Sequence, residues 1–140
     1  MPRMILRLLA AVVLAQAAVL LVDPGLLMVE SFWMSTSGQL GAVAKSILGG
    51  LALVYGAREA RFSTFLKVHG GLSILFGVVY ALLPHAMWQD FARFMFADTG
   101  MAAVGWSGAA LVSAAFALFW LVASGVSGAS GGGLSAVRLA

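Results

Sequence analysis

Residues 5–22 read ILRLLAAVVLAQAAVLLV, a run interrupted only by Arg7 and Gln16. A helix needs roughly 20 mostly apolar residues to cross the hydrocarbon core of a bilayer, within a range of about 17–25. The run therefore predicts a membrane-spanning helix. Three further runs of this kind follow, at 39–57, 65–83 and 100–124. Because all four runs are continuously apolar rather than alternating, helices are favoured over the strands of a barrel.

The composition agrees with a membrane protein. Of the 140 residues, 62% are hydrophobic and 9% are charged, whereas soluble domains carry roughly 25% charged residues. We therefore expect an all-α integral membrane protein with a four-helix domain at 1–124. A flexible tail rich in Gly and Ser should follow at 125–140.

Charge and cysteine content exclude several classes of function. The net charge is +3, but the eight basic residues are scattered and form no patch with interleaved aromatic residues, so no nucleic-acid partner is predicted. The chain contains no cysteine, which excludes disulfides, thiolate catalysis and cysteine-ligated metals.

The N-terminal run has some features of a signal peptide. Arg3 and Arg7 lie at its start, and Ala15 and Ala17 form a small-residue pattern typical of a cleavage site. The apolar run nevertheless continues to residue 22, so we expect an uncleaved first membrane helix.

The charges also predict an orientation. One side of the membrane would receive most of the basic residues, namely Arg3, Arg7, Arg58, Arg61, Lys67 and Arg138. The other side would receive four acidic residues and one loop cation, namely Asp23, Glu30, Asp90, Asp98 and Arg93. Basic residues mark cytoplasmic loops. We therefore expect a multi-pass protein of a bacterial inner membrane with both termini in the cytoplasm.

The two outer loops carry helix signals. Asp23 suits an N-cap and Pro24 the first helical position, so a short interfacial helix is predicted to extend to Trp33. A second segment starts at Pro84 and places Trp88 and Phe91 at helical spacing. The aromatic residues Trp33, Trp88 and Phe91 would then anchor these helices in the headgroup region. Loops that simply pack on the ends of the bundle are the alternative.

The two halves of the chain resemble each other at an offset of 60 residues. Arg7 corresponds to Lys67 (67 − 7 = 60), and Pro24 corresponds to Pro84 at the same offset. Each half contains a span, a Pro-started segment and a second span. Both halves would insert in the same direction, which predicts a parallel repeat or, alternatively, a chance similarity in a chain of few residue types.

Small residues recur on three of the predicted spans. Lipid tails are as apolar as leucine, so membrane helices associate through close packing of small residues. The positions predicted to pack between helices or against a partner are Ala42, Ser46, Gly49, Gly50, Gly70, Gly71, Ser73, Gly77, Gly105 and Ala109. Packing within the chain and docking of another protein both remain open.

Lys45 is the ionisable residue that lies well inside a predicted span. Such a residue is costly in a bilayer and is a functional hypothesis in itself. In the predicted span it is near the outer end. Its stem could therefore reach the interface and form an ion pair with Glu30 or Asp98, or Lys45 could contact a ligand or a transported ion.

His69 lies beside Gly70 and Gly71, where small residues leave room for a flat ligand. Interfacial hydrogen bonding is the simpler interpretation for His69 and for His85. Ligation of haem or a chlorophyll-type pigment by His69 is the alternative. No cofactor and no metal is predicted otherwise.

Three short motifs stand out in the first two predicted spans and the segment between them: Val22-Asp23-Pro24-Gly25, Leu40-Gly41, and Gly49-Gly50 within the second run. On these motifs the region resembles a group of small bacterial four-helix membrane proteins that includes the DoxX-like family. It implies a four-helix inner-membrane architecture and implies no catalytic residues.

The sequence contains no recognisable catalytic set, and we predict that the protein is not an enzyme. The predicted function is that of an accessory or assembly subunit of a larger inner-membrane complex, in contact with lipid and with other integral membrane subunits or its own copies. A small oligomeric transporter or channel is the first alternative. A membrane subunit that binds haem, pigment or quinone is the second.

Overall fold

The computed structural model describes residues 1–97 and 105–126, and every regular element in these ranges is helical. Four helices are long and apolar enough to cross a membrane, which confirms the predicted all-α class. They are α1 (Pro2–Val22), α3 (Thr36–Gly56), α4 (Ser63–Leu82) and α6 (Trp106–Leu121), the last with its continuation in a π-type turn at Val122–Val126. Two shorter helices, α2 (Glu30–Trp33) and α5 (His85–Phe96), lie between them in the chain.

Helix α3 begins three residues before the predicted start at residue 39. Ser35 is its N-cap, and the Ser35 hydroxyl accepts a hydrogen bond of 3.1 Å from the Gly38 backbone N–H, as capping serines do. The earlier start makes Lys45 the tenth of 21 helical residues (45 − 36 + 1 = 10), so Lys45 lies at the middle of α3 rather than near its outer end. The predicted start of the fourth span, residue 100, lies outside the described residues.

The first outer segment differs from the single short helix that was predicted. Asp23 caps it, since its carboxylate accepts a hydrogen bond of 3.0 Å from the Gly25 N–H. The result is a 3-10 turn at Pro24–Leu26, and the one-turn helix α2 follows separately because Val29 is extended. The second outer segment is the predicted helix: α5 begins directly after Pro84.

The four long helices pack as two pairs. Helix α3 lies along α4, and α1 lies along α6, with a smaller contact between α1 and α3. Small residues allow the close approach of α3 and α4: a Cβ atom added to Gly77 would lie 2.6 Å from the Cγ1 atom of Ile47. Across the same interface the Ser73 hydroxyl donates a hydrogen bond of 2.8 Å to the Ser46 carbonyl oxygen.

One end of the bundle, which we call the Arg3 end, contains the start of α1 and the turn between α3 and α4. The Arg3 Nε–H donates to the Glu59 carbonyl oxygen (3.0 Å), and the Arg7 Nε–H donates to the Ser124 hydroxyl (3.2 Å). Beneath them lies the main apolar core, which includes Leu6, Ala10, Leu53, Ala57, Leu66, Ala117, Trp120 and Ala123. The opposite end, the α5 end, is covered by α2 and α5.

Candidate functional site

A half-open cavity of about 450 Å³ lies between the helices, and residues from all six helices of the described ranges line it. Its size falls within the roughly 300–1,000 Å³ typical of small-molecule sites. All four tryptophans of the chain contribute to its walls, namely Trp33, Trp88, Trp106 and Trp120. A cavity mostly apolar and aromatic, with a few polar groups, is the usual form of a ligand site.

The wall formed by α3 and α4 carries most of the polar groups. Helix α3 turns one face to the cavity, since its lining residues follow helical spacing: Ala42, Lys45, Ser46, Gly49 and Leu53. Helix α4 contributes His69, Ser73 and Tyr80. This wall therefore offers one ammonium group, an imidazole and three hydroxyls.

The wall formed by α1 is apolar. Its lining residues are Leu9, Val13 and Leu20, which lie 60 positions before His69, Ser73 and Tyr80. At matching positions, one half of the chain thus supplies aliphatic side chains and the other supplies polar ones. A ligand in this cavity would meet a polar and an apolar side.

Lys45 has no acidic neighbour in the described part of the chain. The predicted ion pair of Lys45 with Glu30 is not formed within residues 1–97 and 105–126, whereas Arg93 pairs with Asp90 at 3.7 Å. Asp98, the other predicted partner, lies outside the described residues. Lys45 therefore lines the cavity as an exposed side chain, at the opening of the cavity, without a described counter-charge.

His69 lies against two rings of α6. Its ring centroid is 5.0 Å from that of Phe116 and 5.7 Å from that of Trp120. The Nδ1 atom of His69 and the Nε1 atom of Trp120 are buried and have no hydrogen-bond partner among the described residues. Buried polar atoms are normally paired, so these two atoms point to a group that the cavity would receive.

The structure adds nothing in favour of a metal or pigment at His69. Within the described residues no group of three His, Asp or Glu side chains could hold a metal ion. His85 could not provide a second ligand for the same group, because it lies at the α5 end and its Nδ1 is 3.1 Å from Gln39 Oε1.

Gln39 joins α3, α4 and α5 at the α5 end, a role that the sequence analysis did not predict. Its side-chain amide donates to the carbonyl oxygens of Tyr80 (2.9 Å) and Leu83 (3.0 Å). The last carbonyl groups of a helix lack partners within that helix, so Gln39 pairs those of α4. The available sequence signal was a polar residue at the start of an apolar helix, opposite the helix break at Pro84.

The predicted interfacial anchors Trp33 and Trp88 bond to the protein itself. The Trp88 Nε1–H donates to the Trp33 carbonyl oxygen (2.7 Å), and the Trp33 Nε1–H donates to the Leu27 carbonyl oxygen (2.9 Å). Trp88 is only 4% exposed and turns into the bundle, because α5 lays its apolar face over the cavity. Phe91 is partly exposed and also lines the cavity.

The predicted small-residue positions separate into four groups. Gly50, Gly70 and Gly77 make the close contacts between α3 and α4. Five others line the cavity, namely Ala42, Ser46, Gly49, Ser73 and Ala109. A Cβ atom on Gly71 would meet no neighbour within 4 Å. Gly105 caps α6 with φ +85°, a conformation that favours glycine. The backbone conformation, rather than helix packing, therefore accounts for glycine at this position.

Sequence reasoning missed the part that α6 plays in the cavity. Its lining residues Trp106, Ala109, Ser113 and Trp120 share one helical face. Ala109 is among the positions predicted to pack between helices or against a partner, but the sequence analysis does not link it to Ser113 or to the two tryptophans. The helical spacing that these four residues share was the signal that could have placed them together.

The chain matches no protein-family model, no curated protein and no solved structure.

Proposed function

We propose that this chain is an integral membrane protein that binds a small, largely apolar ligand in the cavity between its two helix pairs. The observation that carries the proposal is the 450 Å³ cavity itself, in which Lys45, His69 and Trp120 meet apolar walls. The function is non-catalytic binding within the bilayer. It is nearest to the ligand-binding alternative in the sequence analysis.

Membrane insertion, which the proposal requires, is supported by the outward faces of the helices. Large apolar side chains are exposed on all four long helices, for example Leu8 (57%), Leu48 (66%), Leu75 (56%) and Leu111 (62%). In lipid this exposure carries no cost, whereas in water it would favour aggregation. With Arg3, Arg7 and Arg58 at one end, the positive-inside rule places that end in the cytoplasm.

We also propose that the chain is a parallel repeat of two halves. Buried positions recur at the offset of 60 residues, in the pairs Leu6 and Leu66, Ala10 and Gly70, Ala17 and Gly77, Gly50 and Ala110, and Ala57 and Ala117. The packing of the helices agrees with such a repeat. If the two halves are exchanged, α1 takes the place of α4 and α6 takes the place of α3, so the α1–α6 contact becomes the α4–α3 contact. The cavity would then lie on the pseudo-axis between the halves.

A cavity-filling variant tests the proposed binding. A Cβ atom on Gly49 would meet nothing within 4 Å, and Gly49 lines the cavity. Gly49→Leu should therefore fold and should occupy ligand space. Gly71→Leu is the matched control, because its site is equally open but is not among the cavity-lining positions.

The probe is N-phenyl-1-naphthylamine, an uncharged fluorophore that emits strongly in apolar surroundings, with the protein in nanodiscs of neutral phosphatidylcholine. Energy transfer from the cavity tryptophans reports binding, and empty nanodiscs give the background. We expect saturable binding to the natural sequence and to Gly71→Leu, and its loss in Gly49→Leu. Equal signals from all three proteins would contradict the proposal.

Docking in a larger complex, the main prediction from the sequence, remains a second candidate. The observation in its favour is that Gly41 and Gly71 have open space where a Cβ would be, so another helix could approach closely there. If a partner docks on these glycines, a protein that co-purifies stoichiometrically in mild detergent should be lost in Gly41→Leu and Gly71→Leu. It should be retained in Gly49→Leu; loss in Gly49→Leu alone would contradict docking at these sites.

A further inference from the structure

The position of Lys45 limits the chemistry of the ligand. Lys45 lies nine positions after the first residue of α3 (45 − 36 = 9), which at 1.5 Å per residue is about 14 Å along the helix axis. In a hydrocarbon core about 30 Å thick, that places the backbone of Lys45 close to the middle. A lysine stem of four carbons does not span the remaining distance to the headgroups, so snorkelling does not account for Lys45.

The charge on Lys45 has no counter-charge among the described residues that line the cavity. The described acidic residues are Asp23, Glu30, Glu59 and Asp90, and none of them lines it. All four lie outside the long helices. A charge away from water is unfavourable unless it is paired. A bound anion would supply that pairing.

The remaining polar groups of the cavity offer donors to a ligand. Trp120 is 7% exposed, and its Nε1–H can only donate and is without a described partner. Hydroxyls of Tyr80 and Ser113 also face the cavity. The described lining of the cavity offers an ammonium and an indole N–H and contains no carboxylate, so it suits a ligand rich in acceptor atoms.

The apolar wall formed by α1 determines the chemistry of the rest of the ligand. Leu9, Val13 and Leu20 on α1 present only aliphatic surface, and several aromatic rings surround it. The ligand therefore needs an apolar body as well as its acceptor group.

We propose that the ligand of this cavity is an anionic amphiphile, whose charged head pairs with the Lys45 ammonium and whose apolar body lies against α1 and the tryptophans. This inference rests on the cavity binding proposed above. The head of the ligand would be an anionic group such as a carboxylate, sulfonate or phosphate monoester. The competing hypothesis is that the ligand is a neutral ring with carbonyl acceptors.

A pair of probes that share one scaffold separates these outcomes. The anionic probe is 8-anilinonaphthalene-1-sulfonate, and the neutral one is N-phenyl-1-naphthylamine, which lacks the sulfonate. Both are titrated into the protein in neutral phosphatidylcholine nanodiscs, at constant ionic strength. We expect the natural sequence to bind the sulfonate at least roughly tenfold more tightly than the neutral probe, a difference of about one decade in Kd.

Variants at Lys45 assign the difference to its charge. Lys45→Met keeps an unbranched side chain only one atom shorter and removes the charge, and it should lower the affinity for the sulfonate roughly tenfold while leaving the neutral probe unchanged. Lys45→Arg should retain the preference for the sulfonate. Equal binding of the two probes, or an equal loss of both in Lys45→Met, would overturn the inference.

Two controls separate the possible failures. If Gly49→Leu abolishes the binding of neither probe, the proposed binding in the cavity is wrong. If Gly49→Leu abolishes the binding of both probes but Lys45→Met changes nothing, only the anionic head is refuted. Asp98→Asn should leave sulfonate binding unchanged; tighter binding would show that Asp98 already pairs with Lys45 and would overturn the inference.

Discussion

Gly50 and Gly70 face each other where α3 crosses α4. A Cβ atom on Gly50 would lie 2.5 Å from the Gly70 carbonyl oxygen, and a Cβ atom on Gly70 would lie 2.6 Å from the Gly50 carbonyl oxygen. Both obstacles are backbone atoms, which cannot move aside as a flexible side chain can. This contact brings the backbones of α3 and α4 together and sets the height at which Lys45 and His69 enter the cavity.

Gly70→Ala should destabilise the protein by about 1–3 kcal/mol, because the added methyl group forces the two helices apart. The adjacent Gly71→Ala is the matched control. Its methyl group meets open space, and alanine is the better helix former by about 1 kcal/mol, so stability should be unchanged or slightly higher. Thermal unfolding in detergent measures both, and equal midpoints for the two variants would contradict the described crossing.

Gln39→Leu should loosen the α5 end of the bundle. It removes the donors to the partly buried carbonyl groups of Tyr80 and Leu83, and the loss should cost about 1 kcal/mol, toward the lower end of the range for an unpaired polar group. Hydrogen exchange should become faster in α5 and in the last turn of α4.

Gln16→Leu is the control for this change. Gln16 is also a glutamine in a long apolar helix, but no hydrogen bond joins its side chain to another described residue. Its replacement should leave exchange in α5 unchanged. Equal rates of hydrogen exchange in α5 for the two leucine variants would show that the hydrogen bonds of Gln39 do not stabilise this end of the bundle.

Trp88 and Trp120 should respond differently to replacement by phenylalanine. Both are buried, but the Trp88 Nε1–H donates to the Trp33 carbonyl oxygen, whereas the Trp120 Nε1–H has no described partner. In the ligand-free protein Trp88→Phe should cost about 1 kcal/mol more than Trp120→Phe, the net value of one hydrogen bond.

The order should reverse for ligand binding. If the ligand accepts a hydrogen bond from Trp120, Trp120→Phe should weaken sulfonate binding several-fold while thermal stability without ligand stays close to that of the natural sequence. Unchanged binding in Trp120→Phe would show that the ligand leaves this N–H unpaired.

The absence of cysteine permits a direct test of orientation. Glu59 is exposed at the Arg3 end, and Asp90 is exposed on α5 at the other end. In intact bacterial cells with the outer membrane permeabilised, a membrane-impermeant maleimide should label Asp90→Cys and should label Glu59→Cys only after lysis. The opposite pattern would invert the proposed topology, and labelling of both without lysis would contradict insertion.

The helices could be predicted because they depend on local sequence. Continuous apolar runs of spanning length appear wherever the structure has a long helix, and Asp23, Pro24 and Pro84 indicated where the outer segments begin. The start of α3 was misplaced because Thr36 and Ser37 are polar, whereas the capping by Ser35 makes them its first turn.

The cavity could not be predicted because it depends on which faces of different helices meet. Ala42, Ser46 and Gly49 fit equally well against a partner, against lipid or around an empty volume. Only the packing of α3 on α4, and of α1 on α6, distinguishes the glycines in helix–helix contact from those that line the cavity. Trp88 shows the same limit, since its spacing fits both a headgroup anchor and a lid residue.

The pairing of α1 with α6 has a consequence for biosynthesis. Eighty-three residues separate Val22 from Trp106 (106 − 22 − 1 = 83), so at about 5–20 residues per second the ribosome needs several seconds to deliver the partner of α1. The α3–α4 hairpin can form during this interval, and the bundle closes when α6 arrives. Until then the future cavity lacks its α6 wall, so a lipid-dissolved ligand can reach the α3–α4 wall from a wider side than the half-open cavity of the finished protein offers.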